Sequence, residues 1–448
     1  MHGVGVAEDC VKRVTRSLGC RTSLAIALLF ALGNISAGAG RHPMAVMVVN
    51  THTISTALAS ITRISWSADG KYLAVIGKRA SGSAQPSSVL VYDARSLRLL
   101  QTLTPEPTGR AALGDVAFSP NGKYLAAGTG VITFWQTDSW SPLLQIPGPY
   151  SRGAYAAGGT NSIAFSPDSR SLAVLYDSVV FPESVRVDTL EQATEIGRRV
   201  FEAKRDLQSY LNLLARDEIA RPLQALMAFD VATGNARFSV RLPDNTPSRS
   251  ERLTANIVYT GSGKYLVSCR DEVHSEAAQQ SERDANYLEL RDPATGAIVR
   301  EIKRVHVMEL TAIAASADGE YLATATHTTR KESTLNPVTN QWEYVDNRDP
   351  IRIWRIATGE KVTELGGLRG PPRSLAFSRD GRFLFSSQPD IQEHETIWLW
   401  DVRAGRDVLR LKTPSSSVGS LDVALSPDSH SLAAPVDGDI YVFSLEYS

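Results

Sequence analysis

Cysteine is nearly missing from this chain: 448 residues carry three, Cys10, Cys20 and Cys269. Two of them fall within the first forty residues, so a chain that has lost that segment keeps Cys269 alone and has no internal disulfide. Cys269 ends the run Tyr265-Leu266-Val267-Ser268-Cys269 and reads as a small buried hydrophobe. Net charge is also missing, with 47 basic against 48 acidic residues and no basic block. That balance excludes the electrostatic footprint of a nucleic-acid binder. Catalytic signatures are absent too. There is no nucleophile elbow, P-loop, dinucleotide fingerprint or CxxCH haem site, so no cofactor is expected.

Long apolar runs are equally scarce. The strongest, Ser23 to Leu32, is ten residues long, where a membrane-spanning helix needs roughly twenty. Its surroundings explain it better. Lys12, Arg13, Arg16 and Arg21 precede it, and Ala37-Gly38-Ala39 follows with the small-x-small pattern of a signal-peptidase site. Residues 1–39 therefore read as a secretory signal peptide cleaved near Ala39, leaving a periplasmic or secreted protein without a stable membrane span. Cys20 is not a lipoprotein cysteine, because the apolar run follows it instead of preceding it.

What the chain has in abundance is repetition. One signal is a tight turn between two short apolar runs, as in Ser67-Ala68-Asp69-Gly70-Lys71-Tyr72-Leu73. It returns at Ser119, Ser166, Thr260, Ser316, Ser378 and Ser426. Glycine tolerates positive φ and aspartate bonds its own backbone, so these are hairpin turns. The aspartates Asp69, Asp168, Asp318, Asp380 and Asp428 are accordingly turn formers, not catalytic acids. The second signal is an alternating strand ending in an aromatic, such as Val89-Leu90-Val91-Tyr92-Asp93, Ile351-Arg352-Ile353-Trp354 and Ile397-Trp398-Leu399-Trp400-Asp401. A fourth, more polar strand follows, for example Leu99 to Leu103. Four short antiparallel strands per unit, seven times over, predict an all-β, seven-bladed β-propeller filling residues 40–448.

Trp400-Asp401, with Tyr92-Asp93 and Phe229-Asp230 as softened versions, resembles the WD40 repeat over nearly everything from residue 44 onward. The resemblance implies a propeller that binds proteins or peptides. It departs from the family in one respect: no repeat carries the Gly-His dipeptide. The buried histidine–aspartate network associated with that dipeptide is therefore expected to be absent. The seventh unit ends after its third strand, which predicts that an N-terminal strand, Ala45 to Val49 or Thr53 to Ser55, closes the ring and leaves no open sheet edge.

Loop length is unevenly spent. Connections between second and third strands are long in blades one, four, five and six, and longest in blade three. There Leu190, Ala193, Ile196, Val200, Ala203 and Leu207 recur at helical spacing behind the capping box Asp188-Thr189-Leu190-Glu191, predicting a helical insertion over 182–222. All of these connections belong to one rim, whose expected partner-binding residues include Leu190, Arg199, Arg205, Trp342, Tyr344 and His394. His274, His327 and His394 lie in rim loops with acidic neighbours, but their spacing matches no metal motif, so no metal site is assigned. The expected function is a non-catalytic exported scaffold for a protein or peptide partner. The alternative is a lactonase-like or quinoprotein-like propeller enzyme working from residues around the channel mouth.

N-terminal sequencing of the native protein is expected to begin near Gly40, leaving 43 basic and 46 acidic residues once Lys12, Arg13, Arg16, Arg21, Glu8 and Asp9 are removed from the totals. An intact Met1 on a cytosolic protein would exclude export.

Overall fold

The computed structural model of the chain describes residues 46–78, 87–105, 113–128, 131–147, 158–180, 221–241, 249–274, 285–303, 305–306, 310–326, 329–335, 342–388, 396–413, 422–436 and 438–447. Among these residues there is no helix, hence none long and apolar enough to cross a membrane. The predicted helix over 182–222 lies outside the described residues up to 220. Its last two positions, with part of the sequence-read loop on either side, are strand instead, because the blade-three ladder runs out to Val180 and resumes at Arg221.

Each repeated turn is held by its own side chains. The Ser67 hydroxyl donates to Asp69 Oδ1 at 2.7 Å, the Lys71 amide donates to the same oxygen, and the Tyr72 amide donates to Ser67 Oγ at 2.9 Å. The set recurs in the other blades, for instance at Ser166, Ser316 and Ser426. The Ser166 hydroxyl and the Arg170 amide hold the Asp168 carboxyl below the usual carboxylate range. Gly70 occupies φ 71°, but blades three and seven place Ser169 and Ser429 at φ 60° and 64°. That backbone costs a serine on the order of 1 kcal/mol. Each serine offsets it by accepting an amide from the preceding blade, Asn121 and Arg379 respectively, at 2.9 Å.

These hairpins build seven four-stranded antiparallel sheets. Blade one is Ser60–Trp66, Tyr72–Lys78, Val89–Asp93 and Leu99–Leu103, and blade two is Asp115–Phe118, Tyr124–Gly128, Val131–Gln136 and Pro142–Pro147. Blade three comprises Gly158–Phe165, Ser171–Val180, Arg221–Asp230 and Ala236–Arg241; blade four Arg249–Tyr259, Leu266–His274, Ala285–Arg291 and Ile298–Lys303. Blade five is Leu310–Ala315, Tyr321–Thr326, Ile351–Arg355 and Lys361–Leu365, and blade six Ser374–Phe377, Phe383–Ser387, Ile397–Asp401 and Arg406–Leu411. Blade seven takes Ala424–Leu425, Ser431–Val436 and Asp439–Tyr447 from one end of the chain and Val46–Ser55 from the other. From Val46 on, both segments read from the sequence as the closing strand fall within this one strand, paired from Val46↔Tyr447 to Ser55↔Asp439.

First strands pack on first strands around the whole ring, blade seven meeting blade one. Each blade is thus covered on both faces by its neighbours, and the core divides into seven apolar layers, one per junction. At the closing junction Ile54, Ala433, Ile440 and Val442 of blade seven meet Ile64, Leu73, Val75 and Tyr92 of blade one. Double coverage explains why second and third strands are buried along their length while outermost strands such as Leu99–Leu103 are exposed.

Blade five overturns the expectation that the histidine–aspartate network is absent. The buried Trp354 Nε1–H donates to Thr324 Oγ1 at 2.9 Å, Thr324 Oγ1 lies 2.9 Å from His306 Nε2, and His306 Nδ1 lies 3.5 Å from Asp349 Oδ2. With its proton on Nδ1, a neutral His306 accepts from Thr324 and donates to Asp349, forming one continuous relay. The residue before His306 is Val305, not glycine, so the dipeptide is not needed for the network to form. Blade six has the inner half of the same arrangement, with Trp400 Nε1–H donating to Ser386 Oγ at 2.9 Å.

Burial pushes the His306 imidazole below its ordinary pKa, against the raising effect of Asp349. The unfolded chain therefore takes up a proton at the usual histidine pKa of about 6.5 while the folded one still resists. The relay's stabilisation is complete above that value and declines as pH falls through it toward the folded pKa. Urea denaturation at pH 7.5 and pH 5.5 is expected to show wild type losing more stability on acidification than His306→Gln, which is less stable at pH 7.5. Equal losses would exclude a neutral buried His306.

Candidate functional site

Neighbouring strands are antiparallel in every blade, so connections between second and third strands share a rim with the links between blades. The opposite rim carries the tight turns described above. On the elaborated rim the backbone continues as β-ribbons over three consecutive blades. In blade three the second and third strands pair from Ser171↔Asp230 to Val180↔Arg221, whereas blade one's ladder stops at Val75↔Leu90. Blade four extends its first two strands to Arg249↔His274. Blade five inserts a separate hairpin, Thr329–Leu335 with Trp342–Arg348, which is hydrogen-bonded to no other sheet.

The sequence-derived rim residues fall unevenly on this frame. Trp342 and Tyr344 stand on the returning strand of the blade-five ribbon, opposite Leu335 and Ser333. His274 ends the second strand of blade four, opposite Arg249. Leu190, Arg199, Arg205, His327 and His394 lie outside the described residues. Among the described residues no three His, Cys, Asp or Glu side chains gather closely enough to hold a metal ion.

Charged groups that do converge lie along the inner ring. Asp115 Oδ2 accepts the Ile163 amide at 2.8 Å, while Oδ1 accepts the Val116 amide and lies 3.6 Å from Arg63 Nε. Burial pushes the Asp115 carboxyl up to about 6, partly countered by Arg63 and the two amides. Asp422 Oδ2 accepts the Ile64 amide at 3.0 Å, and its Oδ1 accepts the Ser374 hydroxyl at 2.9 Å. A carboxylate near neutrality beside a channel is what an enzyme would need. Here all four carboxylate oxygens are committed, three to backbone amides and one to a hydroxyl, and Asp115, Asp422 and Ser374 all stand at blade junctions. Their arrangement is suited to holding blades together.

A second charged cluster has the same character. Buried Glu289 receives Arg270 Nε at 2.7 Å and Arg291 Nη2 at 2.5 Å, and Arg291 Nη1 also donates to the Gly296 carbonyl. Removing one member of such a buried set leaves an unpaired charge, a loss of about 3–5 kcal/mol.

Sequence reasoning missed these groups and the His306 relay. The signal for the relay was present: Thr324 in a second strand, Trp354 ending a third and Asp349 just ahead of it. Without the Gly-His dipeptide to mark the histidine, that signal had no anchor.

Ring, turns and relay together define a WD40-like seven-bladed β-propeller. No protein-family profile matches the chain. A stretch of 102 residues, 22% of the chain, is 33% identical to the Periodic tryptophan protein 2 homolog of Neurospora crassa, a WD40-containing protein. The shared stretch covers 11% of that relative's length, so the likeness concerns the repeat and not the whole protein.

Replacing Asp422 by alanine orphans the Ile64 amide at the closing junction and the Ser374 hydroxyl at the junction with blade six, and is expected to cost about 1–3 kcal/mol. Asp422→Asn, which retains one acceptor oxygen, is expected to lose less. Urea midpoints measure both, and an unchanged Asp422→Ala would remove Asp422 from the closure.

Proposed function

We propose that the chain is an exported, non-catalytic scaffold that binds a protein or peptide partner through its elaborated rim. The observation that carries this reading is the asymmetry between rims: three consecutive blades raise β-ribbons on one side, and the other keeps tight turns. Stability alone favours short connections everywhere, whereas binding residues gather on segments positioned by a rigid scaffold. Likeness to a WD40-containing protein supports the same class of activity, since WD40 propellers serve protein–protein interaction in general. Engagement of the inner-ring carboxylates by backbone amides favours binding over the lactonase-like or quinoprotein-like alternative. Export rests on the leader read in residues 1–39 and places the partner in the periplasm or outside the cell.

The test removes ribbons and leaves the ring. Replacing residues 330–347 by a short Gly-Ser bridge retains Asp349 and the His306 relay; excising 186–217 removes the blade-three insertion. Either variant is expected to fold with wild-type cooperativity and to capture less partner from the envelope fraction. Charge reversal at Lys71, Lys123 and Lys264 on the opposite rim is expected to leave capture intact. The opposite pattern would show that the wrong rim has been assigned.

A further inference from the structure

The tight turns line the rim opposite the ribbons, and one of them carries a labile group. The third residue of the turn is aspartate in five blades, Asp69, Asp168, Asp318, Asp380 and Asp428, and serine, Ser262, in blade four. Blade two has Asn121, which with Gly122 forms the one Asn-Gly pair in the sequence. Asparagine does the aspartate's work with a single atom. Asn121 Oδ1 accepts the Ser119 hydroxyl at 2.7 Å and the Lys123 amide at 3.0 Å, as Asp69 Oδ1 accepts Ser67 and Lys71. Among the described residues its Nδ2 has no protein partner, and Asn121 is exposed.

Asparagine amides are labile, most of all before glycine, which puts no side chain between its own backbone nitrogen and the asparagine Cγ. Here the approach is open from outside as well. The turn glycines of blades one, four, five and six are each covered by the blade before: Gly70 by Pro427, Gly263 by Pro167, Gly319 by Ser262 and Gly381 by Asp318. Those atoms lie between 3.0 and 3.9 Å from the point where a side chain would begin. At Gly122 no atom lies within 4 Å of that point. The turn of blade one, its neighbour, has Ala68 where blades three and seven have Pro167 and Pro427.

We propose that Asn121 is a site of spontaneous modification, converted to an acid when the blade-two turn opens. The Gly122 backbone nitrogen gives up its proton and bonds to Asn121 Cγ. That carbon releases its amide nitrogen, which leaves with the proton as ammonia, and a cyclic imide remains. One water then opens the imide. Breaking the new Cγ–N bond leaves a carboxyl on Cγ, which is aspartate; breaking the original peptide bond leaves isoaspartate. The turn sets the pace. When it is closed, the Gly122 N–H donates to the Ser119 carbonyl and the Asn121 N–H to Ser169 Oγ, each at 2.9 Å. The first bond engages the attacking group and the second pins the asparagine's backbone, and local opening of an exposed turn releases both. The aspartate product keeps the oxygen that Ser119 and Lys123 use. Its second oxygen suits the Lys123 ammonium, on the pattern of Asp69 Oδ2 and Lys71 Nζ at 2.9 Å in blade one. Isoaspartate adds a backbone carbon to the turn and cannot reproduce the set. The site lies away from the ribbons and does not depend on the proposed binding role.

Mass spectrometry of the peptide containing Asn121, taken from the full chain aged in mildly alkaline buffer, tests the proposal. Folded wild type is expected to gain the acid at Asn121 ahead of its other asparagines. In urea, where the turn is open, conversion is expected to run on the order of tenfold faster. Ser169→Gly removes the Ser169 acceptor and places glycine at a φ of 60°, which suits it. In that folded variant conversion is expected to rise about fivefold, the weight of one hydrogen bond. Asn121→Asp is expected to keep the wild-type thermal transition. An Asn121 that retains its amide in the folded protein would overturn the proposal, and so would equal rates in folded and unfolded chains. A Ser169→Gly variant converting at the wild-type rate would overturn the turn as gate, and a lowered transition in Asn121→Asp would overturn the fit of the aspartate product.

Discussion

Seven sheets form a ring only if each innermost strand is held to the next, and one local irregularity supplies that hold. Four residues before each turn serine or threonine, the first strand reaches the position of Arg63, Asp115, Ser162, Asn256, Ala312, Ser374 or Asp422. The ladder slips there by one residue in blades one, three and five. In blades two and six, Gly114 with Asp115 and Arg373 with Ser374 share one partner across the sheet. A β-bulge re-aims a side chain. At this position in four blades, with the bulge in three of them, a side-chain oxygen accepts the next blade's amide: Asp115 from Ile163, Ser162 from Ile257, Ser374 from Val423 and Asp422 from Ile64. Each bond is modest alone, about 1 kcal/mol. They all act in the same direction around the ring, so the blades share one register.

This hold gives the buried carboxylates a purpose that their electrostatics alone would misstate. Asp115 combines near-complete burial, an elevated pKa and a position beside the axis, which is the profile of a catalytic acid. Its hydrogen bonds give it a structural task, since one oxygen accepts the Val116 amide of its own blade and the other the Ile163 amide of the next. The ribbons, by contrast, stand on one rim, away from these junctions.

Local grammar was legible in the sequence. The turn at Ser67–Tyr72 and its six counterparts specify hairpins by chemistry confined to six residues, and counting them gives the blade number. Closure was legible because the seventh unit shows three strand signals and the segments between residues 45 and 55 offer a fourth. Long-range partnership was not. His306 meets Thr324, Trp354 and Asp349 across as many as 48 positions, and no local pattern announces which distant residue completes such a set. The blade-five ribbon was read as loop, because Thr329–Leu335 has little apolar alternation and its pairing is with Trp342–Arg348, not with the core.

Blade five shows how these devices substitute for one another. Its re-aimed position is alanine, Ala312, so the junction toward blade six cannot use a side-chain acceptor there. It is also the blade that carries the inserted ribbon, Thr329–Leu335 with Trp342–Arg348. The His306 relay occurs in this same blade. It ties the link that leads in from blade four to the second strand at Thr324, to the third at Trp354 and to Asp349 at the foot of the ribbon. On the side facing blade six, Thr311, the residue next to Ala312, donates its hydroxyl to the Pro372 carbonyl at 2.6 Å. Stiffness withdrawn from that junction is thereby restored, partly by this one bond and partly inside the blade. The result is a ribbon mounted on a blade that is internally braced, with Asp349 at the ribbon's foot joined through His306 and Thr324 to Trp354 in the third strand.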